Sequence, residues 1–177
     1  MQVPVLKEVL DALNIPRYEQ EGWEADDLIG TISRRCEAAG WDCRVATGDK
    51  DSLQLVTDHT YVELVTTRMG KTTTQEMDPG AFRAAYGFAP AQMVDLKALM
   101  GDSSDNIPGV KGVGEKTAMA LVQQYHSVAE LYRLLPEIDA KPGVIKKLQE
   151  GRESAEHSRY LATIVTDAPL NFTPEDN

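Results

Sequence analysis

The sequence predicts a mixed α/β segment that gives way to an all-helical one near residue 78. Three observations carry this. Helix and strand patterns alternate in the first part; β-branched residues flank a glycine turn in "YVELVTT", "RMGK" and "TTTQEM"; and every pattern after Asp78 has helical spacing.

Taken in order, Val5, Leu6, Val9, Leu10 and Leu13 recur at helical spacing after Pro4, and Asn14 to Pro16 end that helix. A second helix covers "EADDLIGTISRRCEAAG", with Leu28, Ile29, Ile32 and Cys36 on one face and Gly40 as its stop. "DCRVATGDKD" reads as a short strand running into a loop, and the hairpin follows. "DPGAFRAAYG" opens with an aspartate cap and a proline at the first helical position. "APAQMVDLKALM", "GEKTAMALVQQY" and "SVAELYRLL" are further helices, the last opened by the capping box of Ser127 and Glu130. Two weaker helices occupy "GVIKKLQEGRESAEHSRYLATIV", and "NFTPEDN" reads as a linker or a fraying end.

Composition narrows the function classes. With 28 acidic and 18 basic residues the chain carries a net charge of -10, which repels polyanions at long range. Any nucleic-acid contact is therefore local, made by a few well-placed donors. No apolar run approaches the roughly 20 residues that span a bilayer, and "MQVPVLKEVL" lacks the regions of a signal peptide, so the chain reads as soluble and intracellular. Cys36 and Cys43 have no histidine or further cysteine partners, which gives neither a disulfide framework nor a zinc site.

Three acidic clusters stand out: Glu24, Asp26 and Asp27; Asp49 and Asp51; Asp102 and Asp105. Acids in the first turn of a helix favour its dipole, which explains the first cluster without any site. The second falls where an apolar strand ends, the place where open α/β sheets collect ligands. The third is spaced by three at a helix end. Were the clusters to converge, carboxylates about 4 Å apart would repel by roughly 4 kcal/mol per pair at an effective dielectric near 20. Divalent cations relieve that cost. An oxygen-only donor set selects hard ions, Mg²⁺ or Mn²⁺, and a two-ion site is the usual apparatus for cutting a phosphodiester. Calcium storage fits less well: counting from Asp49 the fifth position is Leu53, and counting from Asp102 the twelfth is Val113 where a glutamate belongs.

"IPGVKGVGEKTA" places glycines at 109, 112 and 114 ahead of a helix starting near Glu115, which exposes amides at a helix N-terminus. The bland alternative is an ordinary tight turn. A nucleotide-binding P-loop is the sharper rival, but Glu115 separates Gly114 from Lys116, and helix rather than strand precedes the loop. The remaining reading is a hairpin between two helices that grips a nucleic-acid backbone through amides, Lys111, Lys116 and Thr117 without reading sequence.

"EGWEADDLIGT", "ATGDKDSLQLV" and "GDSSDNIPGVKGVGEKTA", in this order and spacing, closely resemble the 5'-nuclease domains of bacterial DNA polymerases, within the 5'-3' exonuclease and flap endonuclease family. The likeness extends over essentially the whole chain. It implies an α/β, PIN-like (resolvase-like) nuclease core over residues 1–77, and a helical part over 78–177 with a helix-three-turn-helix (SAM-like) module at about 98–135. It also implies cleavage of 5' flaps and 5' ends of duplex DNA in replication and repair, in the bacterial cytoplasm at the nucleoid, with two Mg²⁺ or Mn²⁺ ions and with no nucleotide cofactor and no membrane. By motif, Glu24, Asp26 and Asp27 resemble ligands chiefly of a first metal, and Asp49, Asp51, Asp102 and Asp105 those around a second. Asp26, Asp49 and Asp51 carry the catalytic expectation. The resemblance further implies a potassium ion on the backbone carbonyls of Leu99, Met100, Pro108, Val110 and Val113. The DNA-facing positions it implies are Gly109, Lys111, Gly112, Val113, Gly114, Glu115, Lys116 and Thr117.

One departure has consequences. In such proteins two aspartate-bearing strands and a mobile arch precede the position of Met1, so the resemblance implies an N-terminally truncated core completed by a missing segment in cis or in trans. "DCRVAT" is then expected to have an open edge, and this chain alone to cut weakly or not at all while still binding duplex DNA. A duplex-binding fragment without catalysis is the alternative function.

Overall fold

The structure, a computed structural model, describes residues 2–176. Met1 and Asn177, the outer ends of the first and last expected segments, lie outside them.

Helix α1 (Val3–Ala12) has proline in its first turn and ends at Asn14, whose φ of 54° breaks the helical course. No residue of α1 is buried, so its expected apolar face, Val5, Leu6, Val9 and Leu13, lies open. Helix α2 (Ala25–Ala38) departs from the single apolar face read from sequence. Ile29 packs on the main core, while Leu28 and Ile32 pack on a second cluster with Ala168, Leu170, Tyr18 and Phe172. A helix covered on two sides must bury polar positions too: the Thr31 hydroxyl accepts from the Ala168 amide at 2.9 Å and Ser33 donates to the Gly30 carbonyl.

Strand β1 (Cys43–Thr47) pairs in parallel with β2 (Thr60–Arg68), and β2 pairs antiparallel with β3 (Lys71–Met77). Parallel pairing requires a crossover, supplied by residues 48–59 through a 3-10 turn over Asp51–Leu55. The hairpin closes on Met69 and Gly70, both at positive φ, the arrangement that matches strand twist in a two-residue turn. Among the described residues β1 is bonded on one side only, the open edge expected of "DCRVAT".

Helix α3 (Pro79–Tyr86) is capped by Asp78, whose carboxylate accepts from the Ala81 amide at 2.7 Å, and stops at Gly87 with φ 78°. Helix α4 (Met93–Met100), preceded by a 3-10 turn over Pro90–Gln92, is buried on all sides from Met93 to Leu99. Around it pack α5 (Glu115–Tyr125), α6 (Val128–Arg133), α7 (Pro142–Glu150) and α8 (Arg152–Ala162). Asp95 on α4 is buried yet satisfied: its carboxylate accepts from the Val128 amide and from Arg159 Nε, both at 2.9 Å. Val45 and Val62 of the sheet and Leu99, Leu121 and Leu148 of the helices belong to one core. The expected division near residue 78 is thus a change of secondary structure inside a continuous hydrophobic interior.

The tail corrects the expectation of a loose end. Arg35 donates to the carbonyls of Phe172 at 3.0 Å and Ala168 at 3.2 Å, and Phe172 stacks edge-on against Tyr18 with centroids 5.4 Å apart. A buried-facing guanidinium with its planar fork of donors fixes an irregular segment by its carbonyls. Among the described residues no helix is long and apolar enough to cross a membrane.

Candidate active site and loop

Four chain segments converge on one cavity of about 260 Å³ lined by Glu24, Asp26, Asp27, Asp49, Asp51 and Asp105, with Ile107 and residues 161–164 as its other wall. Helix α2 contributes the first three. Glu24 occupies the N-cap position but makes no side-chain cap bond, so capping does not account for it. Asp27 is part structural, since its Oδ1 accepts from the Val165 amide at 2.9 Å. Asp49 follows the carboxyl end of β1, and its Oδ1 accepts from the Asp51 amide at 2.9 Å, a turn that aims both carboxylates the same way. Asp51 opens the 3-10 turn.

Asp102 lies round the corner. It lines an adjoining cavity that shares Asp49, Asp51 and Asp105 with the first. Its short bridge to Ile107 folds residues 102–107 back on themselves, which brings Asp105 to both cavities. One oxygen each from Asp51, Asp102 and Asp105 lies within 4.8 Å of the others. That spread suits a hard cation held by oxygen alone.

The residue missing from the sequence reading is Lys97 of α4. It is only 6% exposed, and its ammonium pairs with Asp51 Oδ1, Asp102 Oδ2 at 2.8 Å and Asp105 Oδ2 at 3.5 Å. A signal was present: apart from Asp95 and Lys97 "MVDLKALM" is apolar all round, and a charge on a fully buried helix must find a partner. Its position among three carboxylates supplies the positive charge that offsets their repulsion.

The electrostatics record the crowding. Burial pushes the Asp51 carboxyl up to about 6, against the pull of Lys97 and with the help of Asp49 and Asp105. Burial likewise raises Asp26, with the charges of Asp49, Glu24, Asp27 and Asp105 adding to it. Asp102 goes the other way, to about 2, held ionised by its bond from Lys97 and by Ser104. Burial works against the Lys97 ammonium, but Asp102 and Asp51 outweigh it and its pKa rises.

The glycine loop adjoins this site: Glu115, first residue of α5, lines the same cavity as Asp49, Asp51 and Asp105. Gly114 has open space around it and Lys111, Lys116 and Glu115 are exposed. Lys147 of α7 donates to the Gly112 carbonyl at 2.9 Å. Two positions depart from the expectation that they face DNA. Gly109 is buried, its amide donating to Ser158 Oγ at 2.9 Å and its carbonyl accepting from Ser154 Oγ at 2.6 Å, so both polar groups are already used. Val113 puts its side chain into the core, leaving only its backbone for the loop surface. Of the carbonyls expected around potassium, those of Leu99 and Val110 already accept from the Val110 and Val113 amides, both at 2.9 Å.

A resolvase-like α/β unit with a helical SAM-like module and a converging set of carboxylates defines a class, and the family comparisons agree. Residues 1–87 match the 5'-3' exonuclease, N-terminal resolvase-like domain, and residues 88–177 match the 5'-3' exonuclease, C-terminal SAM fold. The chain belongs to the 5'-3' exonuclease family. Among its relatives, DNA polymerase I of Bacillus subtilis (strain 168) is 48% identical over 172 residues, which are 97% of this chain and 19% of the relative. DNA polymerase I of Chloroflexus aurantiacus is 48% identical over 172 residues, 96% of this chain and 18% of the relative. The chain thus spans about a fifth of the length of these polymerases. In structure it is similar to the T5 5'-exonuclease with bound divalent zinc, at TM-score 0.76 and 26% identity over 90% of this chain and 58% of that one. The catalytic core of Rad2 in complex with a DNA substrate shares the fold, at TM-score 0.60 and 16% identity over 97% and 60% of the two chains.

Proposed function

We propose that this chain is the 5'-nuclease part of a bacterial DNA polymerase I, a phosphodiester hydrolase acting on duplex DNA with a 5' flap or 5' end. The observation that carries the reading is the convergence of Glu24, Asp26, Asp27, Asp49, Asp51 and Asp105 on one cavity beside an amide-rich loop. Glu24, Asp26 and Asp27 would hold one Mg²⁺ or Mn²⁺, and Asp51, Asp102 and Asp105, already gathered round a cation, would hold a second with Asp49 beside them. Such ions supply Lewis-acid activation of water and neutralise charge on the reacting phosphodiester. The chain's own part is to orient: Asp49 sets Asp51 through the turn, Ser104 fixes Asp102, and the bridge to Ile107 carries Asp105. Lys111, Lys116, Thr117 and the amides of Gly112 and Gly114 would hold the duplex backbone at a fixed distance from the carboxylates, with a potassium ion on the carbonyls of Leu99, Met100, Pro108, Val110 and Val113 as a further contact.

Hydrolysis of an end-labelled 5'-flap duplex in Mg²⁺, compared between the native chain and Asp49→Ala, tests this. Any cutting by the native chain should be weak, and the variant should lose about a hundredfold or more of that rate. A second reading rests on the loop's attachment to α8 through Ser154 and Ser158, which owes nothing to the acidic cavity: a unit that binds duplex DNA without cutting it. Equal duplex affinity in both proteins, with no cleavage by either, would select that reading.

A further inference from the structure

Lys97 stands where the three carboxylates of the Asp51, Asp102 and Asp105 cluster meet. Its ammonium bonds to one oxygen of Asp51 and lies 2.8 Å from Asp102 Oδ2 and 3.5 Å from Asp105 Oδ2. The other oxygen of Asp102 is taken: Oδ1 accepts from the Ser104 amide at 2.9 Å and from the Ser104 hydroxyl. A divalent ion that uses Asp102 must therefore take the oxygen Lys97 holds. Mg²⁺ binds its ligands at about 2.1 Å and tolerates little distortion, so the ion and the ammonium compete for one space.

We propose that Lys97 is a resident counter-cation of this cluster, holding the three carboxylates together when no divalent ion is bound and yielding Asp102 when one arrives, so that it sets the affinity of the second ion position. The inference rests on the reading that this cluster takes a divalent ion. Without a cation, three carboxylates this close would repel strongly at partial burial. With Lys97 in place the ligands are gathered but the ion has a competitor. The displaced side chain has somewhere to go, because Lys97 also lines the cavity of about 340 Å³ that holds Asp49 and Glu115. Lys97 acts through the ligands and is a positioning residue.

Mn²⁺ titrations followed by the electron paramagnetic resonance of the free ion, on the native chain and on Lys97→Met, test it without reading activity. Lys97→Met should take up one Mn²⁺ about tenfold or more tightly, while its melting temperature in chelator falls below that of the native chain and recovers on adding Mn²⁺. Lys97→Arg, which keeps the charge, should show no such gain. Equal or weaker Mn²⁺ affinity in folded Lys97→Met overturns the proposal. Should that variant not fold in chelator, the native chain decides: the ¹H–¹⁵N signal of the Lys97 ammonium, protected in chelator, should shift or exchange away as Mg²⁺ saturates, and an unmoved signal overturns the proposal. Failure of the underlying reading looks different, since Mn²⁺ uptake by neither protein would then depend on Asp102→Asn or Asp105→Asn, and both ideas fall together.

Discussion

At the scale of the residue, the acidic cavity trades stability for charge density, and pH reveals the trade. Asp51 has a folded pKa of about 6, above the ordinary 3.8, so between roughly pH 4 and 6 the native state holds more protons than the unfolded one. Stability must then fall as pH rises through that window. Asp102, depressed to about 2, acts at lower pH and in the opposite sense, adding stability as pH climbs from about 2 to 4. In chelator the melting temperature should accordingly peak near pH 4 and decline toward pH 6, the Asp51 share amounting to at most about 3 kcal/mol. Calorimetric scans of the native chain and Asp51→Asn across this window check it: the variant should lose most of the decline. An unchanged slope would mean that Asp26, raised by burial and then by its neighbouring carboxylates, dominates instead.

At the scale of the element, two backbone segments cross at Gly101 and Gly109 with no room for a side chain. A Cβ on Gly109 would stand 2.3 Å from the Gly101 nitrogen and 2.7 Å from its Cα, and Gly109 has φ 60°. Both objections are to backbone, which cannot step aside. Gly109→Ala should cost at least about 3 kcal/mol in a denaturant melt and weaken duplex binding with it. Gly114→Ala is the contrast. Its surroundings are open and its φ of -94° suits any residue, so the fold should change by no more than about 0.5 kcal/mol. Any loss of duplex binding by Gly114→Ala would then report the loop surface alone. Equal damage from both substitutions would contradict the crossing. The serine pair on α8, four residues apart on one face, explains why a loop so rich in glycine holds its shape.

At the scale of the whole molecule, charge limits how the proposed duplex contact can be made. The net charge of -10 leaves attraction to a few donors, chiefly Lys111 and Lys116 on the loop. The logarithm of the duplex association constant should fall with the logarithm of salt at a slope of only about -2 to -3, and Lys111→Ala should flatten it by about 1. Fluorescence anisotropy of a labelled duplex across a salt series measures both. A slope near -6 would require a broad basic surface that this composition does not supply. The continuous core, running from Val45 in the sheet to Leu148 in α7, makes loop and cavity parts of one rigid frame, so the spacing between the glycine loop and the carboxylates is fixed by packing.

The sequence by itself determined the elements, because helix spacing, the Asp78 and Ser127 caps, the glycine stops and the hairpin turn are local rules that each segment obeys alone. It also picked out the acidic clusters, since three of them stand out by spacing alone, although a helix dipole explains the first without any site. Only the tertiary structure decided which groups meet. That Asp27 is half spent on Val165, that Gly109 is locked inside by α8, that Arg35 ties down the tail, and that Lys97 reaches Asp51 are all contacts between residues far apart in the chain. A charge on a buried helix announces that it has a partner; its identity depends on how the helices pack, and no local pattern encodes that.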